Sequence, residues 1–284
     1  MNEEISAKDY FERGNMSYRQ GKYKEAIKDY KKSLKMNPKS YSTWGNMGAA
    51  YGKLANSEKA IECYLRSLEI NPMYTEGWYN LGVVYRKLGN YEESIKCCQR
   101  ALEINSNFSV AWYNLGVAYG RLGRHKTAIE CYKKAVRLNP EDAEAWLNMG
   151  WAYEKLGDYE KEIECSQKAL EINSEYADAW YNLGVAYEKL DDLEKAIDCY
   201  KKAGRINPDD EDTWNNLGVV CGKLGKYENA IDYFGKALRL NPMHVAAWHN
   251  MGTAYKKLGD NEKAEECYEK AKLIPSDKEG NPAE

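Results

Sequence analysis

The sequence predicts an all-α fold, an α-solenoid of eight repeated helix–turn–helix units. Three observations carry this prediction. Tryptophan recurs at Trp44, Trp78, Trp112, Trp146, Trp180, Trp214 and Trp248, each 34 residues after the last. Each interval holds two stretches of about a dozen residues with apolar side chains at helical spacing. Turn signals divide them, "LGRH" or "LGDY" inside a unit and "NP" or "NS" between units.

Units begin at Ala7, Tyr41, Thr75, Ser109, Ala143, Ala177, Glu211 and Val245, so they occupy 7–40, 41–74, 75–108, 109–142, 143–176, 177–210, 211–244 and 245–278. Positions are counted from the first residue of each unit. The first helix carries Trp at position 4, Leu or Met at 7, Gly at 8 and usually Tyr at 11, as in Trp112, Leu115, Gly116 and Tyr119. A mid-helix Gly costs about 1 kcal/mol relative to Ala, a cost offset if it lets the second helix approach closely. After the turn come Ala at position 20, an aromatic at 24 and Ala at 27, as in Ala128, Tyr132 and Ala135, and often Pro near the end, as in Pro140. Tyr10 replaces Trp, Ser94 and Glu162 replace Ala, Ser106 and Ser174 replace Pro, and Cys221 replaces Tyr, without moving the register. One helical pair cannot bury both apolar faces, so neighbouring units stack into a continuous core.

The pattern resembles the tetratricopeptide repeat, whose period is also 34 residues, and the likeness covers residues 7–278. It implies a right-handed superhelix with a concave groove as the usual ligand surface. A leader, 1–6, and a polar tail, 279–284, flank the array, the tail expected to be disordered. Arg13 stands where later units have Leu or Met, Glu265 where inner units have Ile, and Lys272 where most have Leu or Val. Polar residues at stacking positions are what terminal caps need, and they predict a monomer.

Composition excludes several classes. Lys and Arg total 41 against 44 Asp and Glu, a net charge of −3, so no global basic field recommends a nucleic-acid partner. No segment reaches the roughly 20 apolar residues of a membrane span, and "MNEEISAKDYFERGN" lacks a secretion signal. The expected location is cytoplasmic. Six of eight cysteines, Cys63, Cys97, Cys131, Cys165, Cys199 and Cys267, share the 34-residue grid. On helices about 10 Å apart they exceed the roughly 7 Å reach of a disulfide, and they read as small semi-buried residues. His125, His244 and His249 form no zinc-ligand pattern, and the glycines follow helix packing instead of a phosphate loop. No catalytic residue, metal or cofactor is expected.

The functional signal is the stripe opposite the packing positions. Each residue turns a helix by about 100°, which places positions 2, 6, 9 and 13 together. Position 6 is Asn46, Asn80, Asn114, Asn148, Asn182, Asn216 and Asn250, broken only by Glu12 in the first unit. Position 13 is Arg19, Lys53, Lys87, Arg121, Lys155, Lys189, Lys223 and Lys257, basic in all units. Position 9 is mostly apolar, Ala49, Val83, Val117, Trp151, Val185 and Val219 before Thr253, and Tyr79, Tyr113 and Tyr181 stand beside it at position 5. A primary amide donates to a peptide carbonyl and accepts from a peptide N–H at once. First helices spaced about 10 Å apart are commensurate with two or three residues of extended chain at about 3.3 Å each.

The ladder is similar to the asparagines lining the groove of the superhelical repeats of O-linked N-acetylglucosamine transferase. The reading is a non-enzymatic scaffold that holds an extended protein or peptide segment of acidic character, with the valines and Trp151 as an apolar floor. A ladder of this kind also follows from descent of all repeats from one unit. The carboxylate clamp of chaperone adaptors is disfavoured, because no unit has Lys at position 5 and the first has Phe11 and Asn15. Two alternatives stand beside this reading: a self-assembling structural scaffold, and the targeting array of a larger enzyme.

Overall fold

The computed structural model describes residues 5–275. Residues 1–4 of the expected leader and the expected tail 279–284 lie outside the described residues. The chain divides into two compact units, Met1–Pro140 and Glu141–Glu284. The first holds α1 (Ala7–Arg19), α2 (Tyr23–Met36), α3 (Tyr41–Lys53), α4 (Ser57–Ile70), α5 (Thr75–Lys87), α6 (Tyr91–Ile104), α7 (Ser109–Arg121) and α8 (His125–Leu138). The second holds α9 (Ala143–Glu154), α10 (Tyr159–Ile172), α11 (Ala177–Lys189), α12 (Leu193–Ile206), α13 (Glu211–Lys223), α14 (Tyr227–Leu240), α15 (Val245–Lys257) and α16 (Asn261–Leu273). Each consecutive pair is one of the eight predicted repeats, and no strand occurs among the described residues. Within each unit the second helix of a repeat packs on the first helix of the next, as α2 on α3 and α10 on α11. First helices also touch one another along the array, as α3 with α5 and α9 with α11.

Local chemistry sets the boundaries. Six first helices end at a glycine in the left-handed region, Gly21, Gly89, Gly123, Gly157, Gly225 and Gly259, where the missing Cβ removes the steric cost. Ala55 and Asp191 take the same conformation in the second and sixth repeats, at φ 56° and 61°. Asn56, Asp158, Asp192 and Asp260 then cap the second helices by accepting from the backbone N–H three residues on. The conserved-looking spacing of Trp has a plain cause. The indole Nε1 of Trp44, Trp78, Trp112, Trp180, Trp214 and Trp248 donates at 2.9 Å to the carbonyl six residues earlier, fastening the loop between repeats. Only a carbonyl is needed, so Ser106 and Ser174 serve as well as Pro.

The helical glycine at position 8 is a seat for the aromatic at position 24. A Cβ on Gly116 would lie 2.7 Å from the Tyr132 ring, and Tyr30, Tyr132 and Tyr200 are among the largest fully buried side chains. In the fifth repeat position 24 is Ser166, and a Cβ on Gly150 would meet only Cys165 Cβ at 3.2 Å and more distant atoms. All eight cysteines are buried, more deeply than the semi-buried placement expected, and burial pushes the Cys63, Cys97, Cys131 and Cys199 thiols up to about 12.

At the array ends the polar substitutions take different forms. Arg13 grips Asp29 with two bonds, Nε to Oδ2 at 2.8 Å and Nη2 to Oδ1 at 2.5 Å. Glu265 and Lys272 on α16 are exposed, and Lys272 pairs with Glu269 at 2.7 Å.

Candidate functional site

The stripe of positions 6, 9 and 13 lies on the first helices, and in both units it lines recesses. In the first unit Arg19, Asn46 and Ala49 border a recess of about 360 Å³ with Asn15, Tyr18 and Tyr30. In the second, Val219, Asn250, Thr253 and Lys257 border one of about 180 Å³ with Phe234. In each unit, then, one recess brings together members of all three columns. Val83, Trp151, Val185 and Val219 are half-buried, as are Tyr79, Tyr113 and Tyr181, while Val117 is buried.

The asparagine ladder does not act as one set. Asn114 is only 4% exposed; its Nδ2 donates to Val110 O at 2.9 Å and to the Tyr79 hydroxyl at 3.4 Å, and its Oδ1 is buried without a partner. Asn216 donates to the Tyr181 hydroxyl at 3.0 Å, and Asn250 to Asn215 Oδ1 at 3.2 Å. In each case the acceptor is position 5 of the preceding repeat, so the amide stitches two repeats together. Asn46 donates to Asn15 Oδ1 at 2.8 Å, and Asn148 to its own helix at Glu144 O, 2.9 Å. Asn80 and Asn182 differ: they are half-buried and have no hydrogen-bond partner among the described residues. The physical reason is position 5 before them, Gly45 and Leu147, which offer no side-chain acceptor.

Burial raises the pKa of the tyrosines that take part. The Tyr181 hydroxyl is pushed up to about 12 by burial, with Asp212 and Asp210 adding and its bond to Asn216 opposing. Tyr79 is raised likewise by burial against its bond to Asn114. Both stay neutral and keep their hydrogen at physiological pH.

The basic column is exposed at all eight positions. Lys223 reaches Glu188 at 2.8 Å, and Lys155 pairs with Glu154 at 3.1 Å while lying 5.4 Å over the Trp151 ring. Among the described residues, Arg19, Lys53, Lys87, Arg121, Lys189 and Lys257 have no carboxylate within 4.0 Å. The face thus presents uncompensated cations beside apolar side chains and two open amides.

Two repeats carry chemistry that the column reading missed. In the third, Ser94 and Cys98 replace the usual Ala and aromatic, and Arg86 stands at position 12; in the fifth, Glu162 and Ser166 replace the same pair, with Glu154 at position 12. Ser94 Oγ, Arg86 Nε, Glu162 Oε2 and Ser166 Oγ are all buried without a hydrogen-bond partner. The signal was legible as two departures four residues apart on one helix, which face the same way. Of the histidines, His244 caps α15 through Nδ1 at 3.3 Å and approaches Asp212 at 3.2 Å, and His249 lies 5.4 Å from the Tyr268 ring. No cluster of three or more metal-ligating side chains, and no helix long and apolar enough to cross a membrane, occurs among the described residues.

Comparison with known proteins agrees with the repeat fold. No curated protein sequence matches the chain. Two crystal structures of MamA are similar to it: one at 29% identity and a TM-score of 0.54 over 55% of this chain and 92% of that one, the other at 28% and 0.55 over 57% and 89%. YrrB, described as a TPR protein with an unusual peptide-binding site, shares the fold at 23% identity and a TM-score of 0.58, over 66% of this chain and 97% of that one. The pattern of the cilia and flagella-associated protein 70 C-terminal domain matches residues 3–179 and again 104–276, two registers of one repeat array. Matched over most of its length and built throughout of paired helices on a 34-residue grid, the chain belongs to the tetratricopeptide-repeat family described as the cilia and flagella-associated protein 70 C-terminal domain.

Proposed function

We propose that the chain is a non-enzymatic interaction scaffold, monomeric and cytoplasmic, that holds an extended acidic segment of a partner protein along the first-helix face of each unit. The observation that carries this reading is the pairing of open amides with uncompensated cations. Asn80 and Asn182 each keep a donor and an acceptor for a peptide group, and each stands in a unit whose position-13 cations mostly lack carboxylate partners. The other asparagines brace neighbouring repeats and hold the face in shape. Val83 and Val185, three residues from the open amides, supply apolar floor.

The test begins with peptides selected by unbiased display on the whole chain. Replacing Asn80 and Asn182 together by Ala keeps the helical circular dichroism, because Ala is the better helix former. It removes hydrogen bonds worth about 0.5–1.5 kcal/mol each, so calorimetric affinity for a selected peptide falls at least tenfold. Asn114→Ala, by contrast, lowers stability, since the Tyr79 hydroxyl loses its partner. Unchanged affinity in the Asn80 and Asn182 double variant would overturn the proposal.

A further inference from the structure

The third repeat departs from its neighbours at three coordinated places. Six repeats put an aromatic ring at position 24, Tyr30, Tyr64, Tyr132, Tyr200, Phe234 and Tyr268; the third has Cys98. Ser94, one turn before it, replaces Ala, and Arg86 enters from α5. These groups lie together. Burial pushes the Cys98 thiol up to about 11, with the Ser94 hydroxyl and the Arg86 charge acting on it in opposition, and Tyr79 feels both Cys98 and Arg86 while bonding Asn114. Arg86 is half-buried with its Nε sealed from water and without an acceptor. Arg13, Arg66 and Arg100 each grip a carboxylate, at 2.5, 2.7 and 2.6 Å; among the described residues no carboxylate comes within 4.0 Å of Arg86. A partly desolvated guanidinium with no counter-charge is the costly half of an ion pair, and its planar fork matches a carboxylate.

We infer that Arg86, beside Ser94 and Cys98 where six other repeats carry an aromatic ring and Cys98 Sγ now lies against Gly82, is a carboxylate-binding position that seats an acidic side chain of the segment held on the first-helix face. This rests on the groove reading, which supplies the extended segment. A carboxylate arriving from that face meets the outer guanidinium nitrogens. An internal Asp or Glu fits better than a chain end, because the repeats on both sides continue the same face within the unit.

The test is a nitrogen-15 NMR titration of the whole chain at low ionic strength, reading the Arg86 Nε–H, assigned by its loss in Arg86→Lys, and the backbone amides of α5 and α6. The probes are N-acetyl-glutamate N-methylamide, its glutamine counterpart, and N-acetyl-alanine, which carries a chain-end carboxylate. The capped glutamate shifts these signals saturably, the glutamine does not, and N-acetyl-alanine binds at least threefold more weakly. Cys98→Tyr restores the filling of six other repeats and weakens the capped glutamate at least fivefold; Arg86→Gln does the same should Cys98→Tyr not fold. Equal responses to glutamate and glutamine, tighter binding of N-acetyl-alanine, or full binding by both variants would overturn the inference. Peptide capture by display on the same protein judges the groove reading separately: captured peptides with no acidic preference sensitive to Arg86→Gln leave the groove and remove the carboxylate position.

Discussion

Glu162 makes the stability of the second unit fall as pH rises from acid to mildly alkaline. Its side chain is 1% exposed at a position where six repeats have Ala, Oε2 has no partner, and the nearby Ser166 hydroxyl has none either. Burial, with Glu154 adding and Lys155 opposing, raises the carboxyl from 4.5 to about 8. A folded-state value above the unfolded one means that the native state holds the proton more tightly. The associated stabilisation is fully present below about pH 4.5, declines through the interval, and is gone above about pH 8. The slope is about 1.4 kcal/mol per pH unit, so roughly 3 kcal/mol has been lost by pH 7 relative to pH 4.5. The perturbation is Glu162→Ala with Ser166→Tyr, which installs the pair that Ala128 and Tyr132 form in the fourth repeat and avoids leaving a cavity. Urea unfolding followed by circular dichroism from pH 5 to 8 reads both proteins. The difference in unfolding free energy should widen steadily in favour of the variant by about 1.4 kcal/mol per unit, the three histidines being common to both. Parallel curves across that range would show that Glu162 ionises freely, and the reasoning would fail.

Ala55→Gly and Asp191→Gly should each raise stability by about 1 kcal/mol, because a Cβ in the left-handed region costs about that much; urea midpoints check it, and a fall in either refutes it. Glu265→Ile with Lys272→Leu should turn the exposed face of α16 into a stacking surface and cause concentration-dependent association in sedimentation velocity beyond that of the parent, and equal association of the two proteins refutes it. Native protein should resist thiol alkylation at pH 8 and take eight adducts once denatured, since all eight thiols are buried; rapid native labelling or fewer than eight final adducts contradicts this.

The fold was legible because each packing device recurs six to eight times. The Trp grid, the small residues and the turn glycines recur at one period, and a device needed by every repeat stands out from residues that vary. Even the exceptions follow from mechanism: Ser replaces Pro where only a carbonyl is used, and Ala55 replaces Gly at a strain that helix capping tolerates. The site was less legible, for the opposite reason. What distinguishes Asn80 and Asn182 lies not in their own column but in the repeat before: Gly45 and Leu147 stand at position 5 instead of Tyr or Asn, and no position-9 amide takes over as Asn15 does for Asn46 after Phe11. Single columns hide such pairings because the contact joins residues 35 apart, and each column alone looks uniform or merely noisy.

The same cross-column logic explains why a mid-helix asparagine persists through seven repeats. As a helix former it is mediocre, and where position 5 before it offers an oxygen, the inter-repeat bond offsets that weakness: Asn114 to Tyr79, Asn216 to Tyr181, Asn250 to Asn215. Those residues therefore have a structural reason to be Asn whatever the chain binds. Asn80 and Asn182 have no such reason. They are half-buried and exempt from the bracing role, and among the described residues their amides have no hydrogen-bond partner. Their amide donor and acceptor stay open to solvent beside the apolar position 9, which is the observation behind the proposed peptide contact: a peptide backbone, offering one acceptor and one donor, would pair with both.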